Sequence, residues 1–210
     1  MKDDLDMSTR EKIMMLIKTN GEASTKLLTE QLGITLMAVR RHLLALERDH
    51  LIASKTVRQP MGRPTAVYHL TKQAEDHFPK KYHTVALDLL AELEGEAGED
   101  MVNHLFDLRK KSLFNKFEGQ LQGKDLEGKV AALSDIQNEN GYMAEWEKET
   151  DNAYILTEYN CPISQVASKY NHACTCELSL FESLLDAEVE RTDCLSKGGK
   201  KCVYRIRKKN

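Results

Sequence analysis

Apolar residues recur at helical spacing in three segments of the first fifty residues. The first segment, residues 8–20, begins with Ser8 and has Glu11 three positions later, the pattern of a capping box. The second runs from about Ser24 to Gly33, a residue type that tolerates the left-handed turn between helices. The third begins after Thr35, and its predicted apolar side consists of Val39, Leu43, Leu44 and Leu46. Two short helices joined by a glycine turn predict a helix-turn-helix.

The chain changes character after the third predicted helix. Residues 51–57 and 65–70 have the composition of two short strands, and residues 58–64 between them are rich in proline, glycine and arginine. A hairpin that follows a helix-turn-helix and carries arginines at its tip is typical of the wing of a winged helix domain.

The rest of the chain predicts a mixture of helices and strands. Residues 71–82 are polar and are interpreted as a connection. Helices are expected at 83–93, 99–118, 126–139, 163–170 and 176–185, with strands at 143–150, 153–159, 189–192 and 202–206. We therefore expect an α+β protein with a winged helix-turn-helix domain at 1–78, a helical linker or dimerisation region at 79–140, and a small α+β sensor domain at 141–210.

The charge distribution supports DNA binding by the first domain. The whole chain of 210 residues has a net charge of -3, yet residues 35–70 hold six cationic residues against two anionic ones. A helix in the major groove needs donors for base edges and positive charge for phosphates. The residues predicted to contact DNA are Thr35, Met37, Arg40, Arg41 and His42 on the third helix, with Arg58 and Arg63 on the wing.

Residues 8–71 resemble the winged helix domains of the MarR, ArsR and DeoR superfamily of bacterial repressors. Residues 36–43 and 62–71 carry most of this resemblance. It implies binding to a double-stranded DNA operator and does not indicate what signal the protein senses.

All five cysteines lie in the last fifty residues of the chain. The intervals between successive cysteines are twelve residues from Cys161 to Cys174, one from Cys174 to Cys176, seventeen from Cys176 to Cys194, and seven from Cys194 to Cys202. The number of cysteines is odd, they are clustered, and the chain shows no export signal. These features argue against a disulfide framework and favour a metal or redox site. No C-x-x-C pair is present, so the spacing leaves zinc and an iron–sulfur cluster equally open.

The whole chain also resembles the SufR family of iron–sulfur-sensing repressors, around residues 160–163 and 202–206. The resemblance implies a [4Fe–4S] cluster with Cys161, Cys174 and Cys202 among its ligands. Cys194 is the preferred fourth ligand, because a strand–loop–strand would bring it close to Cys202; Cys176 and Glu177 are the alternatives. His172 is interpreted as a surface or core residue.

We therefore expect a cytoplasmic, homodimeric repressor of iron–sulfur cluster assembly genes, which releases DNA when its cluster is damaged or lost. An acidic N-terminus and short apolar runs predict neither a signal peptide nor a membrane span. One alternative replaces the cluster with Zn²⁺ or a thiol redox switch. Another makes residues 83–210 an enzyme or a small-molecule-binding domain, although no nucleotide loop or catalytic triad is evident and no small-molecule substrate is expected.

Overall fold

The computed structural model describes residues 7–58 and 63–209. The chain divides into two compact units, one ending at Lys80 and the other beginning at Lys81. Each unit has its own hydrophobic core. The turn residues 59–62 of the predicted wing lie outside the described residues.

The described part of the first unit contains three α-helices, each begun by a side-chain cap. Ser8 precedes α1 (Thr9–Asn20), and its backbone N–H donates to Glu11 Oε2 over 2.8 Å, so the predicted capping box is present. Ser24 caps α2 (Thr25–Leu32), and Gly33 closes that helix with φ +65°. Thr35 then caps α3 (Leu36–Arg48). The helix-turn-helix predicted from the glycine and the caps is confirmed.

A three-stranded antiparallel sheet completes the first unit. Its order is β1 (Ala23–Ser24), β3 (Thr65–Leu70) and β2 (Ile52–Val57), and in the β2–β3 hairpin Ile52 pairs with Leu70 and Val57 with Thr65. The sequence pattern did not predict the two-residue β1. A 3₁₀ helix (Gln73–His77) also occupies part of the segment that was predicted to be a polar connection.

The core of the first unit follows the predicted apolar positions with one exception. Ile13, Ile17, Leu28, Val39 and Leu46 are almost fully buried. Leu44, predicted on the apolar side of α3, is instead 66% exposed. The prediction was wrong because one residue rotates the chain by about 100° around the helix axis, which turns Leu44 away from its buried neighbour Leu43.

The second unit begins with three helices: α4 (Tyr82–Ala97), α5 (Glu99–Leu121) and α6 (Leu126–Glu139). All three agree with the predicted helices to within a few residues at each end. None of the described helices has the length and apolar character that crossing a membrane would require.

The remainder of the second unit combines a four-stranded antiparallel sheet with two helices. The strand order is β4 (Ala144–Thr150), β5 (Ala153–Glu158), β7 (Cys202–Lys208) and β6 (Ala187–Asp193). Between β5 and β6 lie α7 (Ser164–Lys169) and α8 (His172–Leu185). The predicted start of this last helix, at residue 176, was wrong; the helix begins at His172 and therefore includes Cys174.

One continuous core joins these helices to the sheet. Phe117 from α5, Leu133 from α6, Phe181 from α8 and Tyr204 from β7 belong to the same buried cluster. Residues on both sides of the predicted boundary at 140/141 thus lie in one compact unit. The observed fold is α+β with an N-terminal winged helix-turn-helix.

Candidate DNA-binding surface and cysteine site

The helix α3 divides cleanly into a buried side and an exposed side. Val39, Leu43 and Leu46 are at most 1% exposed and attach the helix to the domain core. Met37 is 70% exposed, and Arg40 and Arg41 are exposed, whereas His42 is only half-buried. The N-terminal half of α3 therefore presents two arginines outward together with apolar Met37, and arginine is the side chain that most often reads base edges in the major groove.

Ion pairs within the domain distinguish the cations that are available to a ligand from those that are not. Lys55 Nζ lies 2.6 Å from Glu22 Oε2, and Arg48 Nε lies 3.5 Å from Asp49 Oδ1. Over the described residues, 7–58 and 63–209, no ion pair or side-chain hydrogen bond involves the predicted DNA-contacting arginines, which are Arg40, Arg41, Arg58 and Arg63. These four cations keep their charge available.

A salt bridge holds the end of α3 against α1. Arg10 Nη2 donates to Asp49 Oδ2 over 2.5 Å. The hydrogen bond from Arg10 is the largest of the effects that lower the pKa of the Asp49 carboxyl below its usual value. The pair connects residues 39 positions apart and thereby fixes the direction of α3 on the domain.

Four of the five cysteines come from four different segments of the second unit. Cys161 lies in the turn between β5 and α7, Cys174 in the first turns of α8, Cys194 directly before a 3₁₀ helix (Leu195–Lys197), and Cys202 at the start of β7. Cys161 is partly buried, and the other three are buried.

The serine of the 3₁₀ helix connects two of these thiols. Ser196 Oγ lies 3.3 Å from Cys174 Sγ and 3.1 Å from Cys194 Sγ. The backbone N–H of Leu195 points at Cys202 Sγ over 3.4 Å. Cys161 is close enough to Cys174 for their charges to interact. The structure thus brings together Cys161, Cys174, Cys194 and Cys202.

Burial and local charges act differently on these four thiols. Burial raises the pKa of Cys161 to about 11 and that of Cys202 to about 12, and it also raises the pKa of Cys174. At Cys194 burial acts in the same direction, but hydrogen bonds with Ser196 and the charge of Arg191 outweigh it and lower the pKa. Cys194 is therefore the thiol of the four that ionises most readily.

Arg191 and two carboxyl groups border the thiols. Arg191 Nη1 donates to the backbone oxygen of Cys174 over 2.9 Å, which ties β6 to α8. Glu158 is 1% exposed and accepts from Gln137 Nε2 over 2.6 Å, while Glu177 Oε2 accepts from the Tyr204 hydroxyl over 3.0 Å. Burial, followed by the charge of Glu177, raises the pKa of Glu158 to about 8. Burial also raises the pKa of Glu177.

Sequence reasoning missed Ser196, Arg191 and Glu158 at this site. No motif marks a serine two residues after a cysteine or an acid three residues before one. Only the alternation of buried and exposed residues along β6 carried a signal, and it concerned Arg191 alone.

Cys176 does not share the neighbour of Cys174, which is Ser196. Its Sγ donates to Asp107 Oδ1 on α5 over 3.4 Å. Burial and this carboxylate raise the pKa of Cys176 to about 11. The structure therefore does not bring Cys176 together with the other four cysteines.

A close approach of backbone shapes the loop between Cys194 and Cys202. The N–H of Gly199 donates to the Cys194 carbonyl over 3.0 Å. A Cβ atom at Gly199 would lie 2.1 Å from Asp193 Oδ1 and 2.8 Å from that carbonyl. Only glycine permits this loop geometry, which places Cys194 beside the start of β7.

Residues 8–53 match a protein-family model described as winged helix-turn-helix DNA-binding. No curated protein matches the chain. The match covers α1, α2 and α3 and reaches the start of β2, so it coincides with the surface described above.

Solved structures similar to the chain include three proteins of different kinds. PadR from Bacillus subtilis in complex with operator DNA is 16% identical, with a TM-score of 0.30, over 63% of this chain and 91% of that one. The SO2144 H-NOX domain from Shewanella oneidensis in the Fe(II)CO ligation state is 14% identical, with a TM-score of 0.41, over 66% and 87%. A trafficking protein particle complex subunit 3 from Naegleria fowleri, covalently bound to palmitic acid, is 11% identical, with a TM-score of 0.37, over 61% and 93%. Similarity at this level carries no conclusion about function.

The family match and the geometry of α3 define the class of this protein. It is a DNA-binding transcriptional regulator with an N-terminal winged helix-turn-helix domain that binds double-stranded DNA.

Proposed function

We propose that this regulator is a homodimeric repressor of iron–sulfur cluster assembly genes that senses through a [4Fe–4S] cluster. Cys161, Cys174, Cys194 and Cys202 are the proposed ligands. The observation that carries the proposal is the convergence of these four thiols from four separate segments.

The donor set fits an iron–sulfur cluster. Such clusters are bound by about four thiolates, and their ligands need not follow one another in the sequence. The four sulfurs are not gathered tightly enough to form a group around a single ion, whereas the group of Asp107, His172 and Cys176 is. A multi-atom centre requires wider spacing between its ligands than one ion does, so the looser arrangement favours a cluster over zinc at the four thiols.

Residues around the thiols are suited to a site that binds and releases its occupant. When bound, the cluster would supply an oxidant-sensitive redox centre. Arg191 offsets negative charge at Cys174 and Cys194, and the partly exposed Cys161 leaves one side of the site accessible. Ser196 positions two thiols at once, so its small 3₁₀ helix responds to any change at either of them.

The surface of α4 and α5 supports a homodimer. No residue of α4 is buried, and Tyr82, Val85 and Leu89 are between 55% and 76% exposed. On α5, Met101, Leu105 and Leu108 are 40% to 47% exposed and recur at helical spacing. Apolar residues in such a row favour contact with an equivalent helix surface. A two-fold dimer would present two copies of α3 to operator half-sites about one DNA turn apart.

The DNA contacts proposed for each subunit are those predicted from the sequence. Thr35, Met37, Arg40, Arg41 and His42 would face the major groove. Arg58 and Arg63 would follow the phosphates or enter the minor groove.

An anaerobic purification with absorption spectroscopy tests the cluster. We expect broad visible absorption that bleaches in air, with about four iron and four sulfide per chain. Cys161→Ser and Cys194→Ser should each reduce this absorption and the bound iron. Cys176→Ser is the matched control, because it removes a buried cysteine but leaves the four proposed ligands intact.

Two results would contradict the proposal. Colourless protein that contains zinc bound by the four thiols would replace the cluster with a zinc or thiol switch. Equal iron content in wild type and Cys161→Ser would place the iron elsewhere in the chain.

A further inference from the structure

Three potential metal ligands meet between α5 and α8, apart from the four thiols of the proposed cluster site. They are Asp107 on α5 and His172 and Cys176 on α8, and one ligand atom from each lies within 4.8 Å of the other two. Their donor atoms are a carboxylate oxygen, an imidazole nitrogen and a thiol sulfur, a combination that suits zinc.

The spacing of the donor atoms matches a tetrahedral ion. His172 Nε2 lies 3.4 Å from Asp107 Oδ2, and Cys176 Sγ lies 3.4 Å from Asp107 Oδ1. Bond lengths for zinc predict an N···O separation of about 3.4 Å and an S···O separation of about 3.6 Å at tetrahedral angles. The two contacts use different oxygens of the Asp107 carboxylate, and each separation is close to that expected between two ligands of one zinc ion.

The imidazole nitrogen in this group lacks a hydrogen bond. His172 Nε2 is buried, and within the described residues its contact with Asp107 Oδ2, at 3.4 Å, is long and lacks the geometry of a good hydrogen bond. A buried polar atom without a partner is unfavourable, and a metal ion would satisfy it. This is an independent sign that the site is built for an additional atom.

The geometry of α8 keeps this group separate from the cluster site. His172 and Cys176 are four residues apart and share one face of the helix, whereas Cys174 lies between them and points about 200° away from either. Cys174 accordingly contacts Ser196, and Cys176 contacts Asp107. One helix thus carries two sets of potential ligands on opposite faces.

We propose that Asp107, His172 and Cys176 form a Zn²⁺ site that clamps α8 to α5, with water as the fourth ligand. Binding converts the Cys176 thiol to a thiolate and releases its proton to solvent, while the carboxylate and imidazole bind through existing lone pairs. The Asp107 side chain is partly exposed, which leaves the site open to water. Lys110, whose Nζ lies 3.4 Å from Asp107 Oδ1, would move aside when the ion binds.

Zinc titration of the full-length chain under anaerobic, reducing conditions tests the site. The protein is first treated with a chelator, and zinc is then added in competition with a chromophoric chelator. We expect His172→Ala to weaken the binding of one zinc equivalent by more than about tenfold. Losing a residue that only supports a metal ligand already costs about that much affinity. His83→Ala is the matched control, because it removes an exposed histidine from α4, outside both sites, and should leave that equivalent with unchanged affinity.

Cobalt provides a second readout that does not depend on stability. Co²⁺ bound at the site should show a thiolate-to-metal charge-transfer contribution that Cys176→Ser lacks and that His83→Ala retains. Thermal unfolding of metal-free His172→Ala should match that of metal-free wild type, because His172 is the partly exposed first residue of its helix. Equal zinc affinity and stoichiometry in His172→Ala and wild type would overturn the proposal, whatever the four other cysteines bind.

Discussion

At the scale of single residues, the available charge of the N-terminal domain depends on which cations are already paired. Lys55 and Arg48 have acidic partners within the domain, and Arg10 is bound to Asp49. Arg40 and Arg41 are exposed on α3 and have no such partner among the described residues. Of the six cations counted in residues 35–70, ion pairing in the folded domain therefore leaves a smaller set whose charge is available to a ligand.

Arg40→Ala should weaken operator binding without unfolding the protein. Loss of one base or phosphate contact predicts roughly 5- to 150-fold weaker binding at matched salt. The measurement is fluorescence anisotropy with an operator fragment at several salt concentrations, alongside thermal unfolding. Arg48→Ala is the control, since it removes the same charge from the same helix at a residue already paired with Asp49. Equal losses in the two variants would mean that general charge, rather than the position of Arg40, determines binding.

At the scale of elements, the segment between β6 and β7 controls the cysteine site. The first residue of this segment is Cys194, and Ser196 lies in the 3₁₀ helix that follows. The strand β7 then begins with Cys202. The strand pairing of β5 with β7 places Glu158 opposite Cys202. Two of the four proposed ligands, Cys194 and Cys202, therefore depend on one short loop, in which the Gly199 N–H donates to the Cys194 carbonyl.

Gly199→Ala should destabilise this loop and lower the iron content of the purified protein. The added methyl group would overlap Asp193 and the Cys194 carbonyl, and overpacking of this kind costs about 1–3 kcal/mol. Chemical denaturation measures the stability, and an iron and sulfide assay measures the occupancy.

Gly95→Ala is the matched control for that substitution. Gly95 lies within α4, and a Cβ there would meet nothing within 4 Å, so this variant should gain about 0.5–1 kcal/mol of stability. If Gly199→Ala were as stable and as rich in iron as wild type, the loop would not control the site.

At the scale of the whole molecule, the exposed apolar rows on α4 and α5 have no cover within the described part of the second unit. Tyr82, Val85 and Leu89 lie on a different side of α4 from Leu87 and Leu90, which pack against the core. A surface of this kind is consistent with the proposed dimer.

Leu89→Asp should shift the protein from dimer to monomer. A carboxylate in a closely packed apolar contact loses its hydration without gaining a partner. Sedimentation equilibrium over a range of concentrations provides the measurement, and operator binding should weaken in parallel. Met143→Asp is the control, because Met143 is 64% exposed and Leu89 is 66% exposed, yet Met143 lies outside both helices. A dimer that persists in Leu89→Asp would exclude this face as the interface.

Local rules of sequence determined the helix-turn-helix. The caps Ser8, Ser24 and Thr35 and the left-handed Gly33 act within a few residues, so their positions alone marked the helices. The apolar spacing of the second unit also predicted its helices and strands. The error at Leu44 shows the limit of apolar spacing as a predictor of burial, since an apolar residue can occupy an exposed helix position at little cost.

Only the tertiary structure decided which chemical groups share a site. Cys161 and Cys202 are far apart in sequence, and the antiparallel pairing of β5, β7 and β6 controls their approach. The group of Asp107, His172 and Cys176 likewise arises because α5 packs against α8. Sequence spacing records distances along the chain, whereas metal binding depends on distances through space, and these were set by the packing of buried faces far from the ligands themselves.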